Sequence, residues 1–292
     1  MTDHQARPAT QLVIAKQARG LTDSVAKLLA EGADSLILPR YRKLGEHEIA
    51  TKTSATDLVT IADTETEAWL TPKLAALIAG SLVVGEEAVA GDPGLMQAFD
   101  GNQPVWVIDP VDGTRNFANG EGAFVTMLAL VVQHRPIAGW IWRPLTRELV
   151  WAVQGFGAFL RHEVGGPDMR LEIEPHDTKP LDALSGFVSY KWLPEEMKAQ
   201  VKSNRNRAKS LNNLGCAGEE YALIAQGKAD FAVFGLLKPW DHCPGIAIVR
   251  EAGGADMLFH KGAAYSTAVQ QDQLITARSL TQAQMLASQL FS

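Results

Sequence analysis

The sequence is poor in cysteine and has no long apolar run. Its 292 residues include two cysteines, Cys216 and Cys243, which are too few for a disulfide framework and typical of a reducing compartment. A membrane-spanning helix needs about 20 consecutive apolar residues, and no segment of this chain approaches that length. Residues 1–10 are polar and lack the apolar stretch of a signal peptide. We therefore expect a cytoplasmic protein that does not enter a membrane.

The chain also lacks an excess of basic residues. Its 27 Lys and Arg residues are outnumbered by 33 Asp and Glu residues, and the formal net charge is −6. A general nucleic-acid-binding role is therefore not expected. Apolar residues make up 46% of the chain and charged residues 21%, as in ordinary globular proteins. The length allows one large domain or two moderate ones.

The apolar pattern changes along the chain. Apolar residues recur at helical spacing over 11–31. Four strand-like runs with short links predict an antiparallel meander: 123–132, 136–142, 149–153 and 157–161. After a Gly-Gly-Pro segment at 165–167, strands alternate with helices, which favours a sheet flanked by helices. We expect an α+β protein with an N-terminal tail over 1–10, an antiparallel-sheet subdomain over 11–162 and an α/β subdomain over 163–292.

Two short apolar strands end in acidic residues. Residues 81–84 lead into Gly85-Glu86-Glu87, and residues 105–108 lead into Asp109-Pro110-Val111-Asp112-Gly113-Thr114. Carboxylates a few ångströms apart repel each other where water is scarce, and a divalent cation relieves that repulsion. Oxygen ligands of this kind suit Mg²⁺. The pattern therefore predicts a metal-binding turn, in which Pro110 fixes one φ angle and Gly113 allows a tight turn.

Each of these acids also has an ordinary structural explanation. Glu86 and Glu87 fit a solvated loop, and the Asp-Pro-Val-Asp-Gly run fits a β-turn. Asp241 follows Trp240 and opens a predicted helix, where an aspartate commonly serves as the N-cap. Another helix, which starts near Asp63, has Thr60 as its expected cap. The combination of acidic strand ends is more informative than any one acid.

Taken together, these residues resemble the signature of the inositol monophosphatase family of Mg²⁺-dependent, Li⁺-sensitive phosphatases. The matching residues are Gly85-Glu86-Glu87, the run from Asp109 to Phe117, Trp240-Asp241 with Gly245, and the run from Asp57 to Asp63 preceded by Lys52. The similarity covers about residues 11–290. It implies a layered αβαβα sugar-phosphatase fold, a homodimer, and hydrolysis of a small phosphate monoester by a metal-activated water.

The resemblance also implies which residues hold the metal. Glu86, Asp109 and the Val111 carbonyl would bind a first Mg²⁺, and Asp109, Asp112 and Asp241 would bind a second. The site would contain two or three ions. Two ions bridged by a carboxylate suit in-line displacement at phosphorus.

Further roles follow from the same resemblance. Asp63 and Thr114 would form a hydrogen-bonded pair that orients the attacking water, and Glu86 would also belong to the catalytic set. The backbone N–H groups of Gly113 and Thr114 would bind the phosphate. Cys243 is interpreted as a packing residue, since a catalytic thiol would need a stronger histidine partner.

Two residues before Asp241 bear on the substrate. Inositol-specific members carry a glutamate seven residues before the metal-binding aspartate, and Phe234 occupies that position here. Because phenylalanine cannot accept a hydrogen bond, inositol 1-phosphate is not expected to be the native substrate. Lys238 resembles part of a Lys-Pro-Tyr-Asp pattern in histidinol-phosphate phosphatases, but it also fits a solvated loop lysine. Histidinol phosphate, nucleotide 3′-phosphates and fructose 1,6-bisphosphate are the alternatives to inositol phosphates.

A non-enzymatic alternative depends on the basic segment 202–209. Its Lys and Arg side chains could contact RNA or a partner protein, which would make the chain a regulatory binding module. The same segment fits a solvated helix end. Since the acidic residues of the predicted metal site are all present, we expect an enzyme that acts on a small phosphorylated metabolite.

Overall fold

Helices and strands form mainly where the apolar pattern predicts them. The computed structural model describes residues 9–51 and 58–291. In chain order, the helices are α1 (Ala9–Gly32), α2 (Ile61–Leu77), α3 (Glu86–Gly91), α4 (Thr114–Ala118), α5 (Glu195–Asn204), α6 (Ala217–Ala225), α7 (Pro239–Glu251) and α8 (Leu280–Leu290). None of the described helices is long and apolar enough to cross a membrane.

The largest sheet has seven strands in chain order. They are β3 (Leu82–Gly85), β4 (Val105–Asp112), β5 (Val125–Val132), β6 (Arg135–Arg143), β7 (Glu148–Val153), β8 (Gly157–Arg161) and β9 (Met169–Leu171). The predicted meander is confirmed, because every neighbouring pair from β4 onward is antiparallel. The first pair, β3 and β4, is parallel. A separate two-stranded sheet pairs β1 (Ile49–Thr51) with β2 (Leu58–Thr60).

The second sheet has five strands: β10 (Ser185–Val188), β11 (Ser210–Asn212), β12 (Phe231–Phe234), β13 (Ala255–Leu258) and β14 (Leu274–Ala277). In the sheet, they lie in the order β11-β10-β12-β14-β13. The strands β11, β10 and β12 are parallel, whereas β14 is antiparallel to both of its neighbours. The sequence pattern did not predict the short strands β9 and β11.

Five layers result from the way in which the helices cover these sheets. Helices α1 and α2 pack on one face of the seven-stranded sheet, and α6 and α7 lie between the two sheets. Helices α5 and α8 cover the outer face of the smaller sheet. The expected αβαβα fold is therefore confirmed. The large sheet ends with Met169–Leu171, beyond residue 162, and the division into two subdomains remains a prediction.

Candidate active site

The parallel pairing of β3 and β4 brings two acidic strand ends to one edge of the sheet. Gly85, the last residue of β3, lies opposite Ile108, so Glu86, which directly follows β3, and Asp109 of β4 come next along these two neighbours. The register between β4 and β5 shifts between Asp109 and Asp112. Within this irregular stretch, the Pro110 carbonyl accepts a hydrogen bond from the Thr126 hydroxyl at 2.9 Å. Asp109 and Asp112 therefore belong to a strand, and the interpretation of the Asp-Pro-Val-Asp-Gly run as a β-turn is wrong.

Asp109 is a buried acid with an unsatisfied oxygen. The residue is 2% exposed, and its Oδ1 atom has no hydrogen-bond partner in the described part of the chain. Burial is the main reason why the pKa of Asp109 is raised well above its usual range, and the charges of Glu86, Asp112, Asp241 and Asp63 raise it further. A buried carboxylate among other acids is unfavourable unless a cation or a proton neutralises it.

Asp112 connects the end of β4 to the start of α6. Its Oδ2 atom accepts hydrogen bonds from the Gly218 backbone N–H at 2.5 Å and from the Cys216 thiol at 3.3 Å. Burial raises the pKa of Asp112 to about 6, although these two donors favour the charged form and oppose the rise. A Cβ atom on Gly218 would lie 2.4 Å from the Met127 sulfur. Glycine therefore allows α6 to pack closely enough to reach Asp112.

Thr114 joins the end of β4 to helix α2. Its hydroxyl lies 2.9 Å from the Val111 carbonyl oxygen and 3.1 Å from Asp63 Oδ1, so two acceptors share one O–H donor. Gly113 precedes it with a φ angle of +86°, and a Cβ atom there would lie 2.5 Å from the Ala123 carbonyl oxygen. Only glycine fits this left-handed turn without strain. The turn places the Thr114 hydroxyl within hydrogen-bond distance of the Val111 carbonyl.

Asp63 is held in place by the start of its own helix. Its Oδ2 atom accepts hydrogen bonds from the Thr60 backbone N–H at 2.9 Å and from the Thr60 hydroxyl at 2.5 Å, which completes a capping box. The expected cap at Thr60 is therefore confirmed. Asp63 is 1% exposed, and its Oδ1 atom accepts the hydrogen bond from Thr114.

Asp241 reaches the site from the helix layer between the sheets. Helix α7 begins at Pro239 with Lys238 as the N-cap residue, so the interpretation of Asp241 as an N-cap is wrong. Pro244 lies inside this helix, and a Cβ atom on Gly139 of β6 would lie 2.2 Å from the Pro244 carbonyl oxygen. Helix α7 therefore packs closely on β6. The charge of Asp241 on this helix raises the pKa of Asp109.

The oxygen atoms at this edge of the sheet are ligands of the type that a hard divalent cation prefers. Carboxylate and carbonyl oxygens are the ligands that Mg²⁺ prefers, and the unsatisfied Asp109 Oδ1 atom is one of them. Over residues 9–51 and 58–291, however, no three His, Cys, Asp or Glu side chains are arranged as a closed cation site. Asp112, in particular, bonds to α6. The residues therefore fit Mg²⁺ by ligand type, and the individual ligand assignments remain predictions.

A cavity of about 1480 Å³ opens beside these acids, and Glu86, Asp112 and Asp241 contribute to its lining. Phe234 and Lys238 line it as well. The Phe234 side chain is only 3% exposed because its ring stacks on Tyr221 at a centroid distance of 5.0 Å and lies 4.9 Å from the His242 ring. Phe234 is therefore both a core residue and part of the cavity wall.

Sequence similarity identifies the family. Residues 21–291 match the model of the inositol monophosphatase family. The chain belongs to this family. It is 29% identical over 244 residues to inositol-1-monophosphatase SuhB from Mycobacterium tuberculosis (strain ATCC 25618 / H37Rv), a match that covers 80% of this chain and 83% of that protein.

Solved structures show the same fold. An inositol monophosphatase (IMPase) from Thermotoga maritima has a TM-score of 0.75 and 24% sequence identity, over 92% of this chain and 96% of its own. An IMPase/NADP phosphatase solved with Mg²⁺ and phosphate has a TM-score of 0.73 and 19% identity, over 94% of this chain and 95% of its own.

Membership of the inositol monophosphatase family establishes the reaction class. The family consists of Mg²⁺-dependent phosphatases, and this chain is a hydrolase of small phosphate monoesters.

Glu67 is a functional candidate that the sequence analysis missed. Its carboxylate accepts hydrogen bonds from the backbone N–H groups of Glu87 and Ala88, both at 2.8 Å, at the start of α3. Glu86 is the first residue of that helix. Glu67 follows Asp63 by four residues and so shares its face of α2, which is the one signal in the sequence that could have indicated it.

Other predicted residues lie outside this site or outside the described residues. Lys52 and Asp57 of the family signature are not among the described residues. Two residues of the basic segment contact the end of the chain: Arg207 donates a hydrogen bond to the Gln289 carbonyl at 2.8 Å, and Asn204 donates one to the Leu290 carbonyl at 3.2 Å. Part of this segment therefore packs against the end of α8.

Proposed function

We propose that this protein hydrolyses its phosphate monoester at the acidic edge formed by β3 and β4. The main support is Asp109, a buried carboxylate with one unsatisfied oxygen among other acids. Glu86, Asp109 and the Val111 carbonyl would bind one Mg²⁺, and Asp109, Asp112 and Asp241 another, in a site of two or three ions. Bound Mg²⁺ supplies Lewis-acid stabilisation of the phosphoryl and leaving-group oxygens and favours ionisation of water.

In this proposal, Asp63 and Thr114 orient the attacking water. The Thr114 hydroxyl directs its proton to Asp63 or to the Val111 carbonyl, so its oxygen can accept a hydrogen bond from water. This arrangement draws a water proton towards the Asp63–Thr114 pair as the new P–O bond forms. The backbone N–H groups of Gly113 and Thr114 are proposed phosphate contacts.

No covalent nucleophile is required. Burial raises the pKa of the Cys243 thiol to about 12, so the reactive thiolate is disfavoured at neutral pH. This agrees with the interpretation of Cys243 as a packing residue.

The Asp109→Asn variant tests the metal site directly. We expect it to lose Mg²⁺-dependent phosphate release and to bind Mn²⁺ more weakly in an electron paramagnetic resonance titration, while its melting transition remains cooperative. Asp182→Asn, which changes an exposed acid outside the cavity lining, is the matched control. Wild-type turnover by Asp109→Asn would refute the proposal.

The substrate, the assembly and the cellular location belong to the same proposal. Phe234 argues against inositol 1-phosphate and leaves histidinol phosphate, nucleotide 3′-phosphates and fructose 1,6-bisphosphate as candidates. A panel assay of phosphate release distinguishes them.

We also propose a cytoplasmic homodimer, which size-exclusion chromatography with light scattering would test. Salt-sensitive RNA or partner binding by Asp109→Asn would instead support a binding role for the basic segment.

A further inference from the structure

Two connections in the smaller sheet form one wall of the active-site cavity. The turn Tyr190–Trp192 follows β10, and residues 235–238 link β12 to α7. Because β10 and β12 are parallel neighbours, their carboxyl ends meet at the same edge. The Ser189 N–H donates to the Val233 carbonyl at 2.9 Å, and a Cβ atom on Gly235 would lie 2.3 Å from the Trp192 carbonyl oxygen. The two connections are therefore packed tightly against each other.

Each connection places a lysine on an aromatic ring within the cavity. Lys191 Nζ lies 4.0 Å from the ring centroid of Trp192, and Lys238 Nζ lies 5.6 Å from that of Trp240. All four side chains line the cavity. Attraction between an ammonium group and an aromatic face keeps these charges near the cavity wall. Lysine is positively charged at neutral pH and offers three hydrogen-bond donors.

The surface beside these lysines includes exposed apolar side chains. Trp192 is 45% exposed and Leu236 is 37% exposed, and both belong to the cavity lining together with the Phe234 ring. Apolar side chains cannot satisfy the hydroxyl groups of a polyol, so this wall would discriminate against one. A substrate whose anionic group is attached to a carbon skeleton with few hydroxyl groups matches this positive and apolar surface better than a polyol does.

We propose that Lys191 and Lys238 form a second anion-binding subsite, so that the leaving alcohol of the substrate carries a further phosphate or carboxylate group. This inference rests on the proposed function, because the phosphate to be hydrolysed occupies the acidic edge of β3 and β4. The cavity of about 1480 Å³ exceeds the range of roughly 300–1,000 Å³ of typical ligand sites. It therefore has room for both anionic groups.

Matched ester pairs test the subsite and identify the second anion. Adenosine 3′,5′-bisphosphate and adenosine 3′-phosphate differ by one phosphate, and 3-phosphoglycerate and glycerol 3-phosphate differ by one carboxylate. We expect the wild type to prefer the more highly charged member of at least one pair in kcat/KM. Lys191→Met and Lys238→Met should each reduce that preference by about tenfold, mainly through KM, since each removes a charge-assisted hydrogen bond. The pair that responds shows whether the second group is a phosphate or a carboxylate.

Arginine variants and a distant lysine provide the controls. Lys191→Arg and Lys238→Arg keep the positive charge and should restore most of the preference. Lys228→Met, which removes an exposed lysine outside the cavity lining, should leave the preference unchanged. Melting temperatures identify any variant that has lost its fold.

A binding measurement separates this inference from the proposed function. Calorimetry of the same ester pairs with Asp109→Asn measures the subsite without turnover. If the wild type hydrolyses none of the esters but their binding still depends on both lysines, the proposed function fails and the subsite stands. Equal treatment of both members of each pair in turnover and in binding, or a preference that survives both methionine variants, would overturn the subsite.

Discussion

The carboxylate of Glu67 on α2 accepts a hydrogen bond from the backbone N–H of Ala88 on α3, at 2.8 Å. Its other oxygen accepts the N–H of Glu87 at the same distance. An acid at this position satisfies two of the free N–H groups at a helix start and interacts favourably with the helix dipole. Helix α2 thereby fixes both Asp63 and the short helix that carries Glu86.

Replacement of Glu67 should weaken metal binding. The isosteric variant Glu67→Gln places an NH₂ group where one of the two carboxylate oxygens accepts a backbone N–H, so one hydrogen bond is lost and α3 is held less firmly. We expect the half-saturating Mg²⁺ concentration to rise by about tenfold, as for other residues that orient metal ligands. Titrations of phosphate release against Mg²⁺, and direct Mn²⁺ binding, measure the change.

Glu65→Gln is the control on the same helix. Glu65 is paired with Arg40 at 2.7 Å, and its replacement should not change the Mg²⁺ requirement. An unaltered requirement in Glu67→Gln would show that the contact with α3 is only structural.

Gly85 and Glu67 should be energetically coupled. A Cβ atom on Gly85 would lie 2.1 Å from the Glu67 carboxyl carbon, so Gly85→Ala must displace that carboxylate. We expect Gly85→Ala to be less destabilising in a Glu67→Ala background than in the wild type, by about 0.5–3 kcal/mol. Urea denaturation of the two single variants and the double variant measures this coupling, and additive effects would exclude it.

The Thr114 hydroxyl should matter for turnover more than for folding. Thr114→Val keeps the shape of the side chain but removes the hydrogen bond to Asp63. We expect kcat to fall by about 10²–10⁴, the usual range for a group that assists proton transfer. Thr114→Ser retains the hydroxyl and should preserve most of kcat. Steady-state kinetics at saturating Mg²⁺ tests this, and a valine variant as active as the serine variant would contradict the proposed role.

Phe234 should contribute strongly to stability. Its buried ring packs on Tyr221 and His242, so Phe234→Ala should cost about 3–5 kcal/mol of unfolding free energy. Leu236→Ala, two residues later and 37% exposed, should cost less than about 1 kcal/mol. Urea denaturation of both variants gives the comparison. Similar small losses would mean that the aromatic stack contributes little to the free energy of unfolding.

Glu220 should make stability depend on pH. Burial raises the pKa of Glu220 from 4.5 to about 8, with Asp112 adding to the rise and the Leu214 N–H opposing it. Between these two pH values, the folded protein keeps a proton that the unfolded chain has lost. The contribution of this proton to the free energy of unfolding is therefore fully present below pH 4.5 and is lost as the pH rises to about 8.

Glu220→Gln removes this titration. Relative to the wild type, the variant should become more stable as the pH increases from 4.5 towards 8, by at most about 1.4 kcal/mol per pH unit. Urea denaturation at several pH values, in the presence of a chelator, measures the difference. Parallel pH profiles for the two proteins would show that Glu220 ionises normally in the folded state.

Local sequence predicted the parts of the site that depend on neighbouring residues. The Thr60 cap follows from residue type and position, and the acids after β3 and β4 follow from where the apolar runs end. The sequence pattern predicts the start of α7 two residues late, because Asp241 is a typical cap residue, whereas Pro239 is the first helical residue. Local preference cannot distinguish such alternatives when packing against β6 decides them.

Contacts between distant parts of the chain were not predictable in this way. Asp112 and Gly218 are separated by 106 residues, and Glu67 and Ala88 by 21. Neither contact leaves a periodic signal, because hydrophobic periodicity indicates which face of an element is buried but not what covers it.

The amino-acid pattern alone predicts the longer helices, most strands, the family and the acids that follow β3 and β4, but not the short helices α3 and α4. These features depend on side-chain spacing along the backbone and on residue types within a short stretch. The fold is needed to see that β3 and β4 are parallel neighbours, that α7 brings Asp241 near Asp109, and that Lys191 and Lys238 line one cavity. Burial, electrostatic coupling and cavity shape arise from packing between layers, which no single segment of the chain specifies.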